Sequence, residues 1–487
     1  MAQFEIKDGV AIIPDGTTEI GYDAFKGCTS LESIIIPDSV TEIGRWAFNG
    51  CTSLKSITIP ESVTKIEFSA FFGCTSLESI VVAEGNPKYD SREGCNAIIE
   101  TASNTLFIGC KTTVIPESVT KIGSAAFSDC TSLESISIPD SVTNIGGKAF
   151  VGCTSLKSIT IPESVTKIEF SAFDGCTSLE SIVVAEGNPK YDSREGCNAI
   201  IETASNTLLT GCKTTVIPEE TTEIGDNAFS GRTSLENITI PESVTKIEFS
   251  AFFGCTSLES ISIPDGVTEI GRSAFSGCTS LESISIPDSV TKIGWSAFSN
   301  CTSLETLAIP NSVTNIGEDA FSGCTSLKSI TIPESVTKIG GGAFSGCTSL
   351  ESITIPDSVT EMTYPMFISC RGFFEGCSSL KSITMSKSVT TISEHSFCRC
   401  TSLERIVIPQ GVKSIKSAAF SGCTSLTMVT LPAGVDKIEK YVFDECSALA
   451  TIYVPAKKAD YYKKRLPEQL HDKIVELQPE KKTKTKK

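Results

Sequence analysis

Residues 28–48, CTSLESIIIPDSVTEIGRWAF, determine the fold because the same pattern returns every 23 residues along the chain. A step of 23 residues relates Cys28, Cys51 and Cys74, and it also relates five cysteines from Cys255 to Cys347. This period lies within the range of leucine-rich repeats, in which each unit forms one coil of a solenoid. The 487 residues therefore predict about sixteen stacked coils rather than several separate globular domains.

The first half of each unit has the pattern of a short parallel strand. Leu31, Ile34 and Ile36 are apolar positions that would point into the coil, and Ser33 would point outward. Pro37 ends the strand because proline has no N–H to donate to a neighbouring strand. One sheet should therefore cover one face of the solenoid.

The second half of each unit turns the chain back to the next strand. Val40 and Ile43 form a second apolar pair, and Gly44 permits a tight bend. Ala47, Phe48 and Cys51 have the spacing of one or two helical turns with an inward face. We therefore expect an α/β, β-rich fold.

A column of phenylalanines should form the core, because one coil is too small to bury its own apolar residues. Each of these phenylalanines precedes the cysteine position by three residues: Phe25, Phe48, Phe71, Phe127, Phe150, Phe173, Phe229, Phe252, Phe275, Phe298, Phe321, Phe344, Phe374, Phe397, Phe420 and Phe443. Fifteen cysteines and Arg232 follow them, and we interpret the cysteines as small buried side chains rather than as redox or metal-binding groups.

The unit LESISIPDSVTKIGxxAFxxCTS resembles the BspA-like leucine-rich repeat, also called the treponemal type. The resemblance extends from residue 10 to about residue 455. It implies a parallel-sheet solenoid of the kind found on many bacterial and some protozoan cell surfaces. There, members of the family act in adhesion and bind host proteins.

The repeat pattern divides the chain into a solenoid at 1–456, a short C-terminal helical cap at 457–478 and a basic disordered tail at 479–487. The cap would cover the last coil with Tyr461, Tyr462, Leu466, Leu470, Ile474 and Val475. Between Cys347 and Cys377 one turn is lengthened. Irregular repeats near 75–130 and 177–232 are copies of each other, 102 residues apart, and each is ten residues longer than two units.

Each irregular repeat has two β-favouring runs around a TASN turn, which is typical of a hairpin. A turn centred on Ala102 and Ser103 would place Cys95 opposite Cys110. In the second copy, a turn centred on Ala204 and Ser205 would place Cys197 opposite Cys212. Free thiols packed in the coil and cross-strand disulfides formed in an oxidising compartment both remain open.

Charge and hydropathy limit the possible partners. Residues 457–487 hold 11 Lys and Arg against 5 Asp and Glu, which leaves 30 basic and 53 acidic residues in 1–456. An acidic body repels phosphate, so nucleic acid is not expected as a partner. No apolar run is long enough for a transmembrane segment. The start also lacks the pattern of a signal peptide, which favours the cytoplasm, whereas the family resemblance implies the cell surface or secretion.

The sequence contains no pattern of catalytic residues, so we expect no enzymatic activity and no cofactor. The two histidines are His395, in a variable turn, and His471, in the cap, and neither accompanies a candidate nucleophile. Cys370, Cys377, His395, Cys398 and Cys400 do not have the spacing of a common zinc site. The acidic residues recur singly in turns. A small-molecule ligand is therefore not expected either.

The outward positions of the strands hold nearly the same residues in every unit, whereas the positions after the bend glycine hold different ones. Along the strands, Ser33, Ser56, Ser135, Ser158 and Ser260 recur at one site, and the last four have Ser or Thr two residues later, which predicts a uniform hydroxyl surface rather than one shaped for a single partner. An ice- or glycan-binding platform is a weaker alternative to plain solvation of that sheet.

The position after the bend glycine is more varied, and it carries the candidate partner-binding residues Tyr22, Phe68, Phe170, Phe249 and Trp295. They either anchor a partner protein or pack over neighbouring coils. We therefore expect a non-enzymatic protein-binding scaffold, adhesive and directed at extracellular or host proteins. The alternative is an intracellular structural or interaction module.

Overall fold

The computed structural model describes residues 4–67, 69–362 and 372–478. The chain separates into two compact units, Met1–Ile238 and Thr239–Lys487. The described residues form about twenty turns of a solenoid with parallel sheets and very little helix. The predicted solenoid is therefore confirmed, with a few more turns than the sixteen counted from the phenylalanines.

Among its described residues, the first unit contains twenty strands and two 3-10 turns. The strands are β1 (Ile6–Lys7), β2 (Val10–Ile12), β3 (Glu19–Ile20), β4 (Ser33–Ile35), β5 (Glu42–Ile43), β6 (Ser56–Ile59), β7 (Lys65–Ile66), β8 (Ser79–Val82), β9 (Tyr89–Asp90), β10 (Ile98–Glu100), β11 (Thr105–Ile108), β12 (Lys121–Ile122), β13 (Asn144–Ile145), β14 (Ser158–Ile161), β15 (Lys167–Ile168), β16 (Ser181–Val184), β17 (Tyr191–Asp192), β18 (Ala199–Glu202), β19 (Thr207–Gly211) and β20 (Glu223–Ile224). The 3-10 turns are Arg92–Gly94 and Arg194–Gly196.

The second unit contains nineteen strands among its described residues, and its helical segments lie between the last two strands. The strands are β21 (Lys246–Ile247), β22 (Ser260–Ser262), β23 (Glu269–Ile270), β24 (Ser283–Ser285), β25 (Lys292–Ile293), β26 (Thr306–Ala308), β27 (Asn315–Ile316), β28 (Ser329–Thr331), β29 (Lys338–Ile339), β30 (Ser352–Thr354), β31 (Glu361–Met362), β32 (Ser382–Thr384), β33 (Thr391–Ile392), β34 (Arg405–Val407), β35 (Ser414–Ile415), β36 (Met428–Thr430), β37 (Lys437–Ile438), β38 (Thr451–Val454) and β39 (Ile474–Glu476). Helix α1 is Ala459–Lys463, and a 3-10 helix spans Glu468–Lys473.

Most regular coils contribute one strand to each of two rows, and each strand pairs with the equivalent strand of a neighbouring coil. In the first unit, β2, β4, β6 and β8 form one parallel row, and β3, β5 and β7 form the other. In the second unit, β22 pairs with β24, the order β26-β28-β30-β32 continues this row, and the two-residue strands pair as β21-β23-β25-β27-β29-β31. Partners are offset by one repeat, as in Ile57↔Ile80 and Ile261↔Ile284.

The strand row follows the predicted alternation. In β6, Ile57 and Ile59 are buried, whereas Ser56 and Thr58 are exposed. The row of two-residue strands was not predicted, because Ile43 was assigned only to an apolar pair. Ile43 is fully buried in β5 and pairs with Ile66 of the next coil. A two-residue strand is too short to show the alternation by which strands are recognised in a sequence.

The helical turns predicted around Ala47 and Phe48 are wrong, because residues 45–50 form successive turns. Trp46 has a φ of 58° and Gly50 a φ of 71°, and a left-handed residue interrupts an α-helix. The backbone instead bonds between coils: the N–H of Phe48 donates to the carbonyl of Ala70 over 2.8 Å.

Where glycine occupies the bend position it is favoured by space rather than by a left-handed backbone, although Glu67, Glu169 and Glu248 take its place in three coils. A Cβ on Gly44 would lie 2.9 Å from the carbonyl carbon of Gly21 in the preceding coil, and one on Gly294 would lie 2.7 Å from that of Gly271. The left-handed residue comes two positions later, at Trp46 in the first case and Ser296 in the second. Glycine therefore allows successive coils to approach each other closely.

The phenylalanine column is confirmed, because all sixteen side chains are buried. In the second unit, rings from Phe252 to Phe443 stack with centroids 5.2–5.7 Å apart and planes within 13° of parallel. In the first unit, Phe4 extends the column by stacking on Phe25 at 5.6 Å. At the hairpin coil, a Cβ on Gly109 would overlap the ring of Phe127, so glycine makes room for the next phenylalanine.

The cysteines hold a hydrogen bond as well as filling space. The thiol of Cys51 donates to the carbonyl of Phe25 in the preceding coil over 3.1 Å, and the thiol of Cys301 donates to Phe275 over 3.2 Å. The same bond recurs at Cys74, Cys153, Cys176, Cys278, Cys324, Cys347, Cys377, Cys400, Cys423 and Cys446. A purely apolar side chain of similar size would lack this donor.

Arg232 replaces a ladder cysteine and is buried, with only 1% of its surface exposed. Its Nε donates to the carbonyl of Gly211 over 2.8 Å, and its Nη1 donates to Ser230 over 3.1 Å. Its Nη2 reaches past the hairpin coil to the carbonyl of Phe173, again over 3.1 Å. The equivalent position in the first copy is Cys130, so these three hydrogen bonds are particular to the second copy.

The predicted hairpins are confirmed, but the predicted opposition of their cysteines is wrong. Glu100 pairs with Thr105 and Ile99 with Leu106, as a turn centred on residues 102 and 103 requires. A bulge then shifts the register and places Ile98 opposite Ile108. In the second copy the bulge places Ala199 opposite Gly211. One residue beyond that pair, Cys212 would face Asn198 rather than Cys197.

All four hairpin cysteines are buried free thiols. The thiol of Cys110 donates to the carbonyl of Asn96 over 3.3 Å, and that of Cys212 donates to Asn198 over 3.4 Å. The structure therefore has the free-thiol alternative rather than the cross-strand disulfides.

Both ends of the described chain carry a cap. At the start, β1 and β2 form an antiparallel hairpin. At the other end, Tyr462, Leu466 and Leu470 are buried as expected of a cap. Val475 is 44% exposed and lies in β39, which pairs in parallel with β38. The last element is therefore a strand and not a helix. The basic tail and residues 363–371 of the lengthened turn lie outside the described residues.

Candidate partner-binding surfaces

The bend edge is the row of residues that directly follow the bend glycine of each coil, or the residue that replaces this glycine. The residue after each bend-edge residue has a left-handed backbone, and in most coils it donates its N–H to the bend-edge carbonyl of the next coil. Ser250 donates in this way to Arg272 over 2.9 Å, and Ser273 donates to Trp295 over 2.7 Å. Bend-edge side chains of successive coils therefore lie next to each other.

The described aromatic residues of the bend edge reach solvent. Tyr22 is 61% exposed, Phe170 is 70% exposed and Phe249 is 42% exposed, whereas Trp295 is half-buried. Phe68 lies outside the described residues. The exposure expected for Tyr22, Phe170 and Phe249 is present, and whether any of the five contacts a partner stays a prediction.

In the second unit, an arginine lies between two of these aromatic residues. The guanidinium carbon of Arg272 is 5.8 Å from the ring centroid of Phe249 and 5.4 Å from that of Trp295. Both distances are within the range of a cation–π interaction. The three side chains come from consecutive coils, so they form one continuous aromatic and cationic cluster.

The first unit has a similar cluster near its start. The rings of Tyr22 and Trp46 have centroids 5.6 Å apart, with an interplanar angle of 53°. The guanidinium carbon of Arg45 is 4.3 Å from the Trp46 ring, and the Nζ of Lys26 is 5.1 Å from it. Trp46 belongs to this surface although it is one position beyond the bend edge. Sequence reasoning missed it because only the bend-edge column was considered.

Phe170 forms a third, smaller cluster in the same unit. Its ring lies 6.0 Å from the Nζ of Lys148 and covers Gly147 of the preceding coil. The carboxylate of Glu169 accepts hydrogen bonds from the Gly147 N–H at 3.0 Å and from Lys167 at 2.7 Å. The nearby ammonium group and these hydrogen bonds lower the pKa of Glu169. The ring is therefore held over its neighbour and is still mostly exposed.

A second candidate surface lies on the strand row, and sequence reasoning missed it. The position two residues after the recurring serine was expected to belong to a uniform hydroxyl surface. The first unit instead exposes apolar residues at this position or its equivalent: Ile12 (65%), Ile35 (57%), Val81 (44%), Val114 (71%), Val183 (45%) and Val216 (74%). The expected uniformity of this sheet face is therefore wrong for the first unit.

The members of this apolar stripe are adjacent only at its start, where Ile12 pairs with Ile35. Farther along, hydroxyl residues interrupt it, since Val81 pairs with Thr58 and Val183 pairs with Thr160. In the second unit the same position holds exposed hydroxyl groups, such as Ser262 and Thr331, before Val407 is reached at 67% exposure. The signal that could have revealed the stripe is SIIIP at 33–37, where later repeats have SISIP.

Charged residues beside the strand row pair from coil to coil and carry little energy. In the first unit Lys55 lies 2.7 Å from Glu32, and Lys111 lies 2.6 Å from Glu78. The Lys111 ammonium lowers the pKa of Glu78. The pairs are well exposed to solvent, and exposed pairs contribute about 0–1 kcal/mol. These ion pairs make the edge of the strand row polar and contribute little to the stability of the fold.

Two of the cysteines considered as zinc ligands, Cys377 and Cys400, lie in the core. No group of three His, Cys, Asp or Glu side chains in the described ranges could hold a metal ion. Of the five residues considered for zinc, Cys370 lies outside those ranges, and the thiols of Cys377 and Cys400 donate to carbonyls of the phenylalanine column. Burial raises the pKa of Cys377 to about 12, so it is neither a ready nucleophile nor a ready metal ligand. None of the described helices is long and apolar enough to cross a membrane.

Comparison with known proteins shows what class of protein these coils define. The chain is a leucine-rich-repeat protein. A family model described as "BspA type Leucine rich repeat region (6 copies)" matches residues 9–93, 98–203, 202–324, 246–373 and 371–466. These matches cover most of the chain, so the protein belongs to the BspA-type leucine-rich-repeat family. No curated protein matches it.

Several solved structures are similar to this chain. A leucine-rich repeat protein from Bacteroides ovatus is 26% identical, with 96% of this chain and 94% of that chain covered and a TM-score of 0.46. A leucine rich cell surface protein from Faecalibacterium prausnitzii is 30% identical over 78% and 88%, with a TM-score of 0.41. The T. pallidum leucine-rich repeat protein is 32% identical over 39% and 77%, with a TM-score of 0.30.

Proposed function

We propose that this chain is a non-enzymatic scaffold that binds other proteins through its bend edge. The observation that carries the proposal is the cluster of Phe249, Arg272 and Trp295, in which side chains from three consecutive coils form one exposed aromatic and cationic patch. Aromatic residues and arginine are the side chains most enriched at energetic centres of protein interfaces.

The architecture of the coil supports this proposal. Buried positions contact their own copies in neighbouring coils, so they are limited to a few side chains. The bend edge faces solvent and varies among aromatic, basic, acidic and small residues. An aromatic ring already held by a neighbouring cation loses little side-chain entropy when a partner covers it, which favours binding.

The test is a pull-down from extracellular-matrix extract with the parent chain and a variant in which Tyr22, Phe68, Phe170, Phe249 and Trp295 are all Ser. We expect the variant to capture at least tenfold less partner, with a nearly unchanged circular-dichroism melt. The matched control changes Phe72, Phe253 and Tyr441 to Ser, because these aromatics are 37%, 47% and 63% exposed but lie off the bend edge. Equal capture by parent and five-fold variant would contradict the proposal, and so would an early melt of that variant.

The apolar stripe of the first unit is a second candidate contact surface. Ile12 and Ile35 are adjacent exposed apolar residues, and exposed apolar patches often mark contact sites on soluble proteins. Changing Ile12 and Ile35 to Ser would remove its first two members, and their high exposure limits the cost in stability. If this variant loses the partner while the bend-edge variant retains it, binding belongs to the sheet face.

We also propose that the binding is adhesive and takes place at the cell surface or outside the cell, on extracellular or host proteins. The alternative is an intracellular interaction module, and the two differ in where the protein is found. Intact source cells treated with protease should lose the protein if it is displayed. Protection until lysis would favour the intracellular alternative.

A further inference from the structure

The cavity between the last coil and the C-terminal cap has no role in the binding surfaces described above. Its volume is about 270 Å³, and its walls come from residues 438–444 of the last coil and from residues 466–470 of the cap. The cap packs elsewhere on this coil through Tyr462, which is fully buried and whose hydroxyl donates to the carbonyl of Pro432. The cap therefore closes part of the last coil and leaves a space over the rest.

The floor of this cavity includes the end of the phenylalanine column. Phe443 stacks on Phe420 at 5.6 Å on one side, and it is 8% exposed where Phe420 is fully buried. Val442 lies beside it, and Leu466 and Leu470 of the cap line the opposite wall. In every earlier pair of this unit's stack, the second ring face is covered by the next phenylalanine, whereas the sequence has no phenylalanine after Phe443.

We propose that this cavity binds a small planar aromatic molecule of one or two rings. The ring would continue the stack of the phenylalanine column. Offset or parallel aromatic pairs are stabilised beyond the burial of their area. An apolar cavity of about 150 Å³ is large enough to hold benzene, so a cavity of this size accommodates a larger ring system.

The charged groups at the rim are the carboxylates of Glu439 and Asp444 and the ammonium group of Lys440. Glu439 is already occupied: its carboxylate accepts from Lys416 at 3.1 Å and lies 2.8 Å from the ammonium of Lys437. These contacts lower its pKa to about 2, so it stays charged. Asp444 and Gln469 are exposed members of the lining and offer acceptor oxygens to an N–H or O–H of the ligand.

The experiment uses the full chain with labelled Leu and Val methyl groups and follows NMR shifts of Val442, Leu466 and Leu470 during titration. Benzyl alcohol and cyclohexylmethanol are the matched pair of probes, because they share a size and a hydroxyl and differ in the planar ring. We expect saturable ring-current shifts with benzyl alcohol and stronger binding of indole. Cyclohexylmethanol should bind at least tenfold more weakly. Absence of saturation with both aromatic probes, or equal binding of the saturated ring, would overturn the proposal.

Two further experiments test where the ring binds and whether the ring belongs to a free small molecule or to a protein. Leu466→Trp fills the cavity from the cap side and should abolish the indole shifts, whereas Phe253→Ala on the outer surface should leave them unchanged. Shifts that persist in Leu466→Trp would place binding elsewhere. A blocked Gly-Trp-Gly peptide tests whether the ring belongs to a protein partner. Tighter binding of the peptide than of indole would contradict a free small molecule.

Discussion

The phenylalanine column predicts a large effect from one substitution in its middle. Phe298 is fully buried, and its ring stacks on Phe275 at 5.5 Å and on Phe321 at 5.6 Å. Phe298→Ala would remove both stacking contacts and leave a cavity between two rigid rings. Phe→Ala changes in cores cost about 3–5 kcal/mol. The backbone bonds from Phe298 to Ala320 and from Phe275 to Ala297 do not involve the ring, so the coil itself should remain folded.

Because each coil contacts mainly its neighbours, the loss should weaken one interface rather than the whole solenoid. We expect urea unfolding of Phe298→Ala to shift to lower denaturant and to separate into two transitions. The chain has two tryptophans, and Trp295 lies on the coil that contains Phe298. In a Trp46→Phe background, fluorescence therefore reports this coil alone, while circular dichroism reports the whole chain.

Phe253→Ala is the matched control, because this ring is 47% exposed and its loss should change stability by less than about 0.5 kcal/mol. An unchanged single transition for Phe298→Ala would refute the stacked-column account. So would equal shifts for the buried and the exposed phenylalanine, since burial would then not determine the cost.

Three further predictions follow from the same coils. Burial holds the thiol pKa of Cys51 and Cys324 at about 12, above the usual value of about 8.5, so the folded state keeps protons that the unfolded state loses. This stability is fully present below about pH 8.5 and is lost as pH rises toward 12, and alkaline melts of the parent and Cys324→Ala should show a smaller loss in the variant. Arg232→Met removes three hydrogen bonds from a buried guanidinium and should lower the free energy of unfolding by about 3 kcal/mol in chemical denaturation, because the carbonyl partners remain buried. The stability of Arg232→Lys should fall between those of the parent and Arg232→Met. An unchanged denaturation midpoint for Arg232→Met would show that these hydrogen bonds contribute no stability. Deleting one 102-residue copy should leave a folded chain by circular dichroism and lower the avidity for a multivalent partner in surface binding, because fewer repeated sites act together; complete loss of binding would instead indicate one site within that copy.

The repeat determines the buried half of this structure well. A 23-residue period with Leu, Ile, Val and Phe at fixed places predicts which residues lie inside, and the sixteen phenylalanines are all buried. The prediction is reliable because any one coil must fit against a copy of itself, so each buried position is constrained in every unit.

The local backbone of each coil is harder to predict. The helical turns expected near Phe48 are replaced by turns because Trp46 and Gly50 are left-handed, and nothing about a tryptophan favours that backbone. The hairpin bulge that separates Cys95 from Cys110 in register likewise arises where one extra residue is inserted into a strand. Such shifts depend on contacts with adjacent coils and have no signal in the spacing of apolar residues.

The sequence predicts the exposure of the surface aromatic residues better than it predicts their contacts. The exposure of Tyr22 and Phe170 followed from their place in the repeat, but their cationic neighbours did not. Arg45 contacts Trp46 within its own coil, whereas Arg272 contacts rings from the coils before and after it. The second arrangement requires the bend-edge residues of successive coils to be in register, which the sequence alone does not show.

In a solenoid whose coils are nearly identical, a partner can be distinguished only by positions where one coil differs from the next. The core positions vary little, because each stacks on its own copy, so they carry stability and no specificity. The bend edge and the outward strand position are solvated, and changes there cost little stability. The first unit departs from the consensus at Ile12 and Ile35, and the second departs from it at Phe249, Arg272 and Trp295. Partner contacts should therefore concentrate at these departures, whereas the regular hydroxyl-bearing coils act as spacers between them.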